Sequence, residues 1–91
     1  MPNHEELLSF VLRAKNRRKI IFLLEKEAKL PAQLMRESGM YKGHTSRALK
    51  ELAEKNLIFC KNPSDRAFRF YALSAKGKRI LKAISELSKT I

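Results

Sequence analysis

The sequence predicts a mainly α fold with one small β-hairpin, organised as a single domain over residues 1–91. Three observations predict it. Apolar residues recur at helical spacing through most of the chain. One stretch, 57–73, has instead the β-branched and aromatic content of two short strands around a turn. A chain of 91 residues with 44% hydrophobic content supports one modest core and excludes general disorder.

The first helix is expected over Glu5 to Lys15. Leu7, Leu8, Val11 and Leu12 form its apolar stripe, Asn3 is placed to cap it, and Glu5 and Glu6 suit the positive end of its dipole. Arg13 to Lys19 then carries five cations and no acid, which reads as a solvated junction or as a rest for phosphates. Asn16 is the expected cap of a second helix over about Arg17 to Ala28, whose core is Ile20-Ile-Phe-Leu-Leu24. Pro31 pushes Leu30 to an extended conformation, where a short strand is expected. Pro31 also suits a helix start, so Ala32 to Ser38 is expected as a third helix with Leu34 and Met35 inward.

The stretch from Gly39 to Leu57 carries most of the functional content. Gly39 ends the third helix in a left-handed conformation. From about Lys42 to Lys55, Thr45, Ala48, Leu49 and Leu52 fall at i, i+3, i+4 and i+7, on one helical stripe. His44, Ser46, Arg47 and Lys50 lie off that stripe. A helix that packs on one side and shows a hydroxyl, an imidazole and cations on the other suits the DNA major groove. The plainer reading is an amphipathic surface helix with a solvated basic face. Asn56 is the expected left-handed stop.

Leu57 to Lys61 reads as a strand, Asn62-Pro-Ser-Asp65 as a turn, and Phe68 to Leu73 as the return strand. Lys61, Arg66 and Arg69 make the hairpin basic. Alternation puts Phe68 and Phe70 on one face and Tyr71 and Leu73 on the other, so both faces are expected to be covered. Ser74 is the expected cap of a last helix reaching about Thr90, with Ile80, Leu81, Ile84, Leu87 and Ile91 along its stripe. Lys76, Lys78, Arg79 and Lys82 crowd its start, against the dipole.

Charge narrows the partner. Twenty Lys and Arg against nine Asp and Glu give a formal net charge of +11, which points to a polyanion. Cys60 is the single cysteine, so no internal disulfide forms. Cys60, His4 and His44 stand at unrelated spacings, so no metal site or cofactor is expected. No pair of acids is placed as a metal site for a nuclease, and no enzyme is expected. Asn3-His-Glu-Glu6 precedes any apolar run, and Ile20 to Leu24 is too short to span a bilayer. A cytoplasmic protein away from the membrane is therefore expected.

The order helix, helix, short strand, helix, helix, two strands, helix is that of a winged helix-turn-helix. Three segments resemble the ArsR and MarR groups of prokaryotic transcription regulators. Arg17-Arg-Lys-Ile-Ile-Phe-Leu-Leu24 resembles their opening Arg-x-x-Ile-Leu-x-x-Leu. His44 to Ile58 resembles their recognition helix, with Asn56 where Gly is usual. Asp65 to Gly77 resembles their wing and its exit Tyr-x-Leu-Thr-x-x-Gly, with Ser74 for Thr. The resemblance covers about Arg17 to Leu81. It implies a recognition helix in the major groove and a wing on the minor groove or backbone. Carried over, Ser46, Arg47 and Lys50 become groove or phosphate contacts and Arg66 a wing contact; Lys42, His44, Lys61 and Arg69 complete the candidate DNA surface. Two departures stand out. The MarR wing often carries Asp-x-Arg, and here the third position is Ala67. The Cys-rich signature of ArsR metal sensors is absent, and the chain is too short for the long paired helices around a MarR effector pocket, so no effector is implied.

The expected function is a sequence-specific regulator binding double-stranded DNA as a homodimer. The alternative is a winged-helix subunit of a ribosomal or basal transcription assembly that uses the same surface on RNA or protein. The dimer expectation rests on Leu7, Leu8 and Val11 at one end and Ile84, Leu87 and Ile91 at the other, which exceed what a three-helix core and wing require. The competing expectation is that the first and last helices pack on each other within one chain.

Overall fold

The computed structural model describes residues 2–90. Five helices and a two-stranded hairpin follow in the order α1 (His4–Leu12), α2 (Lys15–Leu23), α3 (Pro31–Ser38), α4 (Lys42–Glu54), β1 (Ile58–Cys60), β2 (Tyr71–Leu73) and α5 (Ala75–Thr90). This is a winged-helix architecture. Helix α2 is its centre and packs against α1, α3, α4 and α5. Its Ile20 and Ile21 are fully buried beside Val11, Leu34, Leu52, Leu57 and Ile80, which come from five other segments of the chain.

Helix starts follow the local chemistry in most places. The Asn3 side chain accepts the Glu6 N–H at 2.8 Å. Pro31 is the first residue of α3, and the Leu30 N–H donates to Gln33 Oε1 at 2.8 Å. Ser74 accepts the Gly77 N–H at 3.0 Å, and its hydroxyl donates to the Asn56 carbonyl at 2.6 Å, so the cap of α5 also ties it to the end of α4. Gly39 at φ 75 and Asn56 at φ 60 end α3 and α4 in the left-handed region. Asn tolerates that region better than most residues, which explains why it serves where glycine is usual.

The α1–α2 junction differs from expectation. Helix α1 stops at Leu12 and α2 begins at Lys15, so the link is two residues long and Asn16 lies inside α2 rather than capping it. The last carbonyls of α1 do not need solvent, because arginines from α2 reach back to them. Arg17 Nη1 donates to the Phe10 carbonyl at 2.7 Å, and Arg18 Nη1 donates to the Leu12 carbonyl. Helix α2 ends at Leu23, well short of Ala28. There the chain must leave the helix so that Lys29 can pair with Tyr71, through two backbone hydrogen bonds of 2.9 Å. The short strand expected at Leu30 is this one bridge, one residue earlier.

The hairpin is antiparallel, with Ile58 opposite Leu73, Phe59 opposite Ala72 and Cys60 opposite Tyr71. Its strands are three residues each, shorter than expected: one more backbone bond joins the Lys61 N–H to the Phe70 carbonyl at 2.8 Å, and past it the side chains of Asn62 and Asp65 take the N–H groups of Ala67, Phe68 and Phe70. Leu73 is buried and Tyr71 half-buried, but Phe59, Phe68 and Phe70 stay exposed. The expectation that both hairpin faces are covered fails on the phenylalanine face.

The terminal helices also differ from expectation. Helices α1 and α5 pack on each other, and Leu7, Val11 and Ile84 are buried inside the single chain. They complete its own core and are not spare surface. Leu8 is half-buried and Leu87 is 47% exposed. Ile91 lies outside the described residues.

Gly77 explains the glycine of the wing exit. A Cβ there would stand 2.1 Å from the Leu57 carbonyl oxygen and 3.2 Å from a Leu73 methyl carbon. That carbonyl also accepts the Ser74 N–H at 3.0 Å, so it is held and cannot give way cheaply. Alanine gains about 1 kcal/mol over glycine in a helix interior, but forcing a methyl into packed backbone costs typically ~1–3 kcal/mol or more. Gly77→Ala is expected to lower the melting temperature; an unchanged or raised one would contradict this close approach.

Candidate nucleic-acid interface

Helix α4 presents two unlike sides. Thr45, Ala48, Leu49 and Leu52 are buried, as their spacing predicts. The Thr45 hydroxyl, the one buried polar group among the described core residues, donates to the Tyr41 carbonyl at 3.0 Å. Lys42, His44, Ser46, Arg47 and Lys50 are exposed on the other side. An ion pair from α2 supports this orientation. Arg17 meets Glu51 of α4 through two contacts, Nε to Oε1 at 3.3 Å and Nη2 to Oε2 at 3.2 Å. Its guanidinium also lies 3.7 Å from the centre of the Phe10 ring on α1. One cation thus ties α1, α2 and α4.

Three residues at this end of α4 lie outside the set that the sequence singles out by number as a DNA surface. Tyr41, the residue before α4, is 79% exposed, and its ring stands edge-on to His44 with centroids 6.1 Å apart. Lys15 and Asn16, at the start of α2, line one cleft together with His44 and Arg47. The run Arg13 to Lys19 suggests a junction or a phosphate rest without distinguishing its members. Arg17 and Arg18 are spent on the fold, and Lys19 Nζ reaches the Ser38 carbonyl at 3.4 Å, whereas Lys15 is exposed beside α4.

The wing supplies the second part of the surface. Lys61 and Arg66 are exposed. Arg69 is not a free cation at the tip: its Nε is buried without a hydrogen-bond partner. Its side chain turns to the wing's own strands, and the Cys60 thiol first, then the Tyr71 hydroxyl, hold its pKa above the ordinary value. The reason is parity, since Arg69 falls on the same side of the chain as Tyr71 and Leu73.

Asp65 is exposed, and its carboxylate turns back on its own loop. Its Oδ1 accepts the Ala67 N–H at 2.8 Å and the Phe68 N–H at 2.9 Å. These bonds, to Phe68 first and then Ala67, lower its pKa. A lowered carboxylate pKa means that the bonds support the wing above the ordinary carboxylate range and are lost as pH falls through the folded value. Asn62 works from the other side, accepting the Phe70 N–H at 2.8 Å and donating to the Phe68 carbonyl at 2.5 Å. The aspartate of the wing motif is therefore a turn-former.

Among the described residues, no group of three or more His, Cys, Asp and Glu is placed to hold a metal ion. No described helix is long and apolar enough to cross a membrane.

The sequence matches no protein-family model and no curated protein. Solved structures do match. The MarR family transcription regulator SP03579 superposes with a TM-score of 0.75 at 26% identity, over 92% of this chain and 60% of that one. A substituted form of ZitR from Lactococcus lactis gives 0.76 at 19% identity, over 85% of this chain and 53% of that one. NMB1585, a MarR family regulator from Neisseria meningitidis, gives 0.73 at 18% identity, over 92% and 63%. The structural neighbours are thus winged-helix transcription regulators of the MarR family, and this chain has their fold. It spans little more than half of the length of these three.

Proposed function

We propose that the protein is a sequence-specific regulator that binds double-stranded DNA, with α4 in the major groove and the basic wing on the minor groove or backbone. The observation that carries this reading is the two-sidedness of α4. Its apolar stripe is buried to the last residue, while Lys42, His44, Ser46, Arg47 and Lys50 are all left in solvent on a net +11 chain. The fold shared with transcription regulators supports it.

Arg47 is the base reader in this proposal, since an arginine on a groove-facing helix can donate two hydrogen bonds to guanine, worth about 1–3 kcal/mol of discrimination. Lys50 is a phosphate contact. Arg47→Ala should erode the difference between cognate and scrambled duplexes. Lys50→Ala should weaken both about equally and reduce the salt slope of binding by about one. Titrations of both variants at several salt concentrations check this; undiminished discrimination by Arg47→Ala would move the base reader to His44.

The working form is proposed to be a homodimer. Its apolar contact is narrower than the sequence implied, because Leu7, Val11 and Ile84 are used within the chain. Leu87 and the exposed part of Leu8 remain. A two-fold pair would set two recognition helices about 34 Å apart, one turn of DNA. Sedimentation at micromolar concentration should give twice the 10.5 kDa chain mass, and Leu87→Glu should return it to one. A monomeric mass for the unaltered protein would overturn the dimer.

A further inference from the structure

Six large apolar side chains are exposed among the described residues, and three of them, Phe59, Phe68 and Phe70, belong to the wing. Phe68 is the most exposed of the three, at 62%. A wing that only brushed phosphates would need cations and turn residues, not a phenyl ring in solvent. The backbone around this ring is also unusually well tied for a surface loop. The Phe68 N–H is held by Asp65 and its carbonyl by Asn62, at 2.9 and 2.5 Å. The flanking N–H groups of Ala67 and Phe70 are held by the same two side chains, each at 2.8 Å. The loop therefore presents the ring from a fixed backbone, which reduces the ordering cost of any contact the ring makes.

The surroundings define the occupant. Lys61 and Arg66 are exposed on the same wing, and the one acid there, Asp65, is occupied by the loop's own N–H groups. An exposed ring on a wing that also exposes two cations complements a partner that is anionic outside and flat and apolar within. Stacked base pairs beneath two phosphate strands meet that description, and phenylalanine is among the side chains that can part a base step from the minor groove.

We propose that Phe68 is an apolar wedge that the wing inserts between two base pairs, parting the stack and bending the duplex, while Lys61 and Arg66 engage the flanking phosphates. The proposal rests on the DNA-binding reading above and deepens it, because a bend adds sequence selectivity at a step no hydrogen bond reads.

The test uses the full chain and duplexes enriched from a random pool, labelled at both ends for energy transfer. A parallel series carries one 2-aminopurine at each successive position. The unaltered protein should bend the duplex by about 20–90° and raise 2-aminopurine emission at one step. Phe68→Ala should abolish both and weaken binding roughly tenfold or more, with an unchanged circular dichroism spectrum. Phe68→Leu, which keeps an apolar wedge, should retain both signals. Arg66→Ala should weaken binding but leave the emission change intact in the bound fraction. Binding without any bend or emission change would overturn the wedge while leaving the DNA-binding reading in place. Bend and emission unchanged in Phe68→Ala would do the same, as would a Phe68→Ala effect confined to the sedimenting mass, which would make the ring a protein contact. Failure of the unaltered protein to bind any duplex would overturn both.

Discussion

The burial of one stripe of α4 is the constraint on which the rest of the surface depends. Thr45, Ala48, Leu49 and Leu52 are locked into the core, so the rotation of the helix about its axis is set and every other position on it is assigned to solvent. Magnitudes favour this as the dominant effect. Emptying a fully buried leucine site such as Leu52 costs about 2–5 kcal/mol, whereas a partly exposed ion pair such as Arg17 with Glu51 contributes typically ~1 kcal/mol or less. The ion pair refines an orientation that packing has already chosen. Its other role is topological, since the same arginine closes the end of α1 at the Phe10 carbonyl.

The basic residues near α4 and the wing consequently fall into two groups. Arg17 and Arg18 satisfy helix-end carbonyls, and Arg69 packs within the wing. Lys15, Lys42, Arg47, Lys50, Lys61 and Arg66 are exposed around α4 and the wing. The formal charge alone does not separate these groups. What separates them is whether a buried or helix-terminal acceptor lies within reach, because an unsatisfied carbonyl at a helix end draws the nearest donor. Around α4 and the wing, the cations left for an anionic partner are those that no carbonyl or strand of the fold has claimed.

Most of the fold was legible because its signals are local. The α4 stripe, the Gly39 and Asn56 stops, the Pro31 start and the Ser74 cap each depend on residues within a few positions of one another. Several of the failures involve partners outside the segment itself. Helix α2 stops early because Lys29 pairs with Tyr71, some forty positions away. The α1–α2 link is short because arginines reach backward across it. Val11 and Ile84 looked like spare apolar surface because their packing on each other's helices is not written in either segment alone. At the candidate site, the α4 face could be read from periodicity, but Arg69 was misplaced: its charge drew attention and its parity along the strand did not. Phe68 was expected on a covered hairpin face with Phe70, and both are exposed.

The central claim is that the exposed face of α4 and the wing together read a DNA sequence. Selection of duplexes from a random pool by the intact protein tests this most directly. The account predicts enrichment of one motif with two-fold symmetry, its half-sites separated by about one helical turn, ~10–10.5 base pairs. Recovery of no motif, with binding equal on all duplexes, would contradict it.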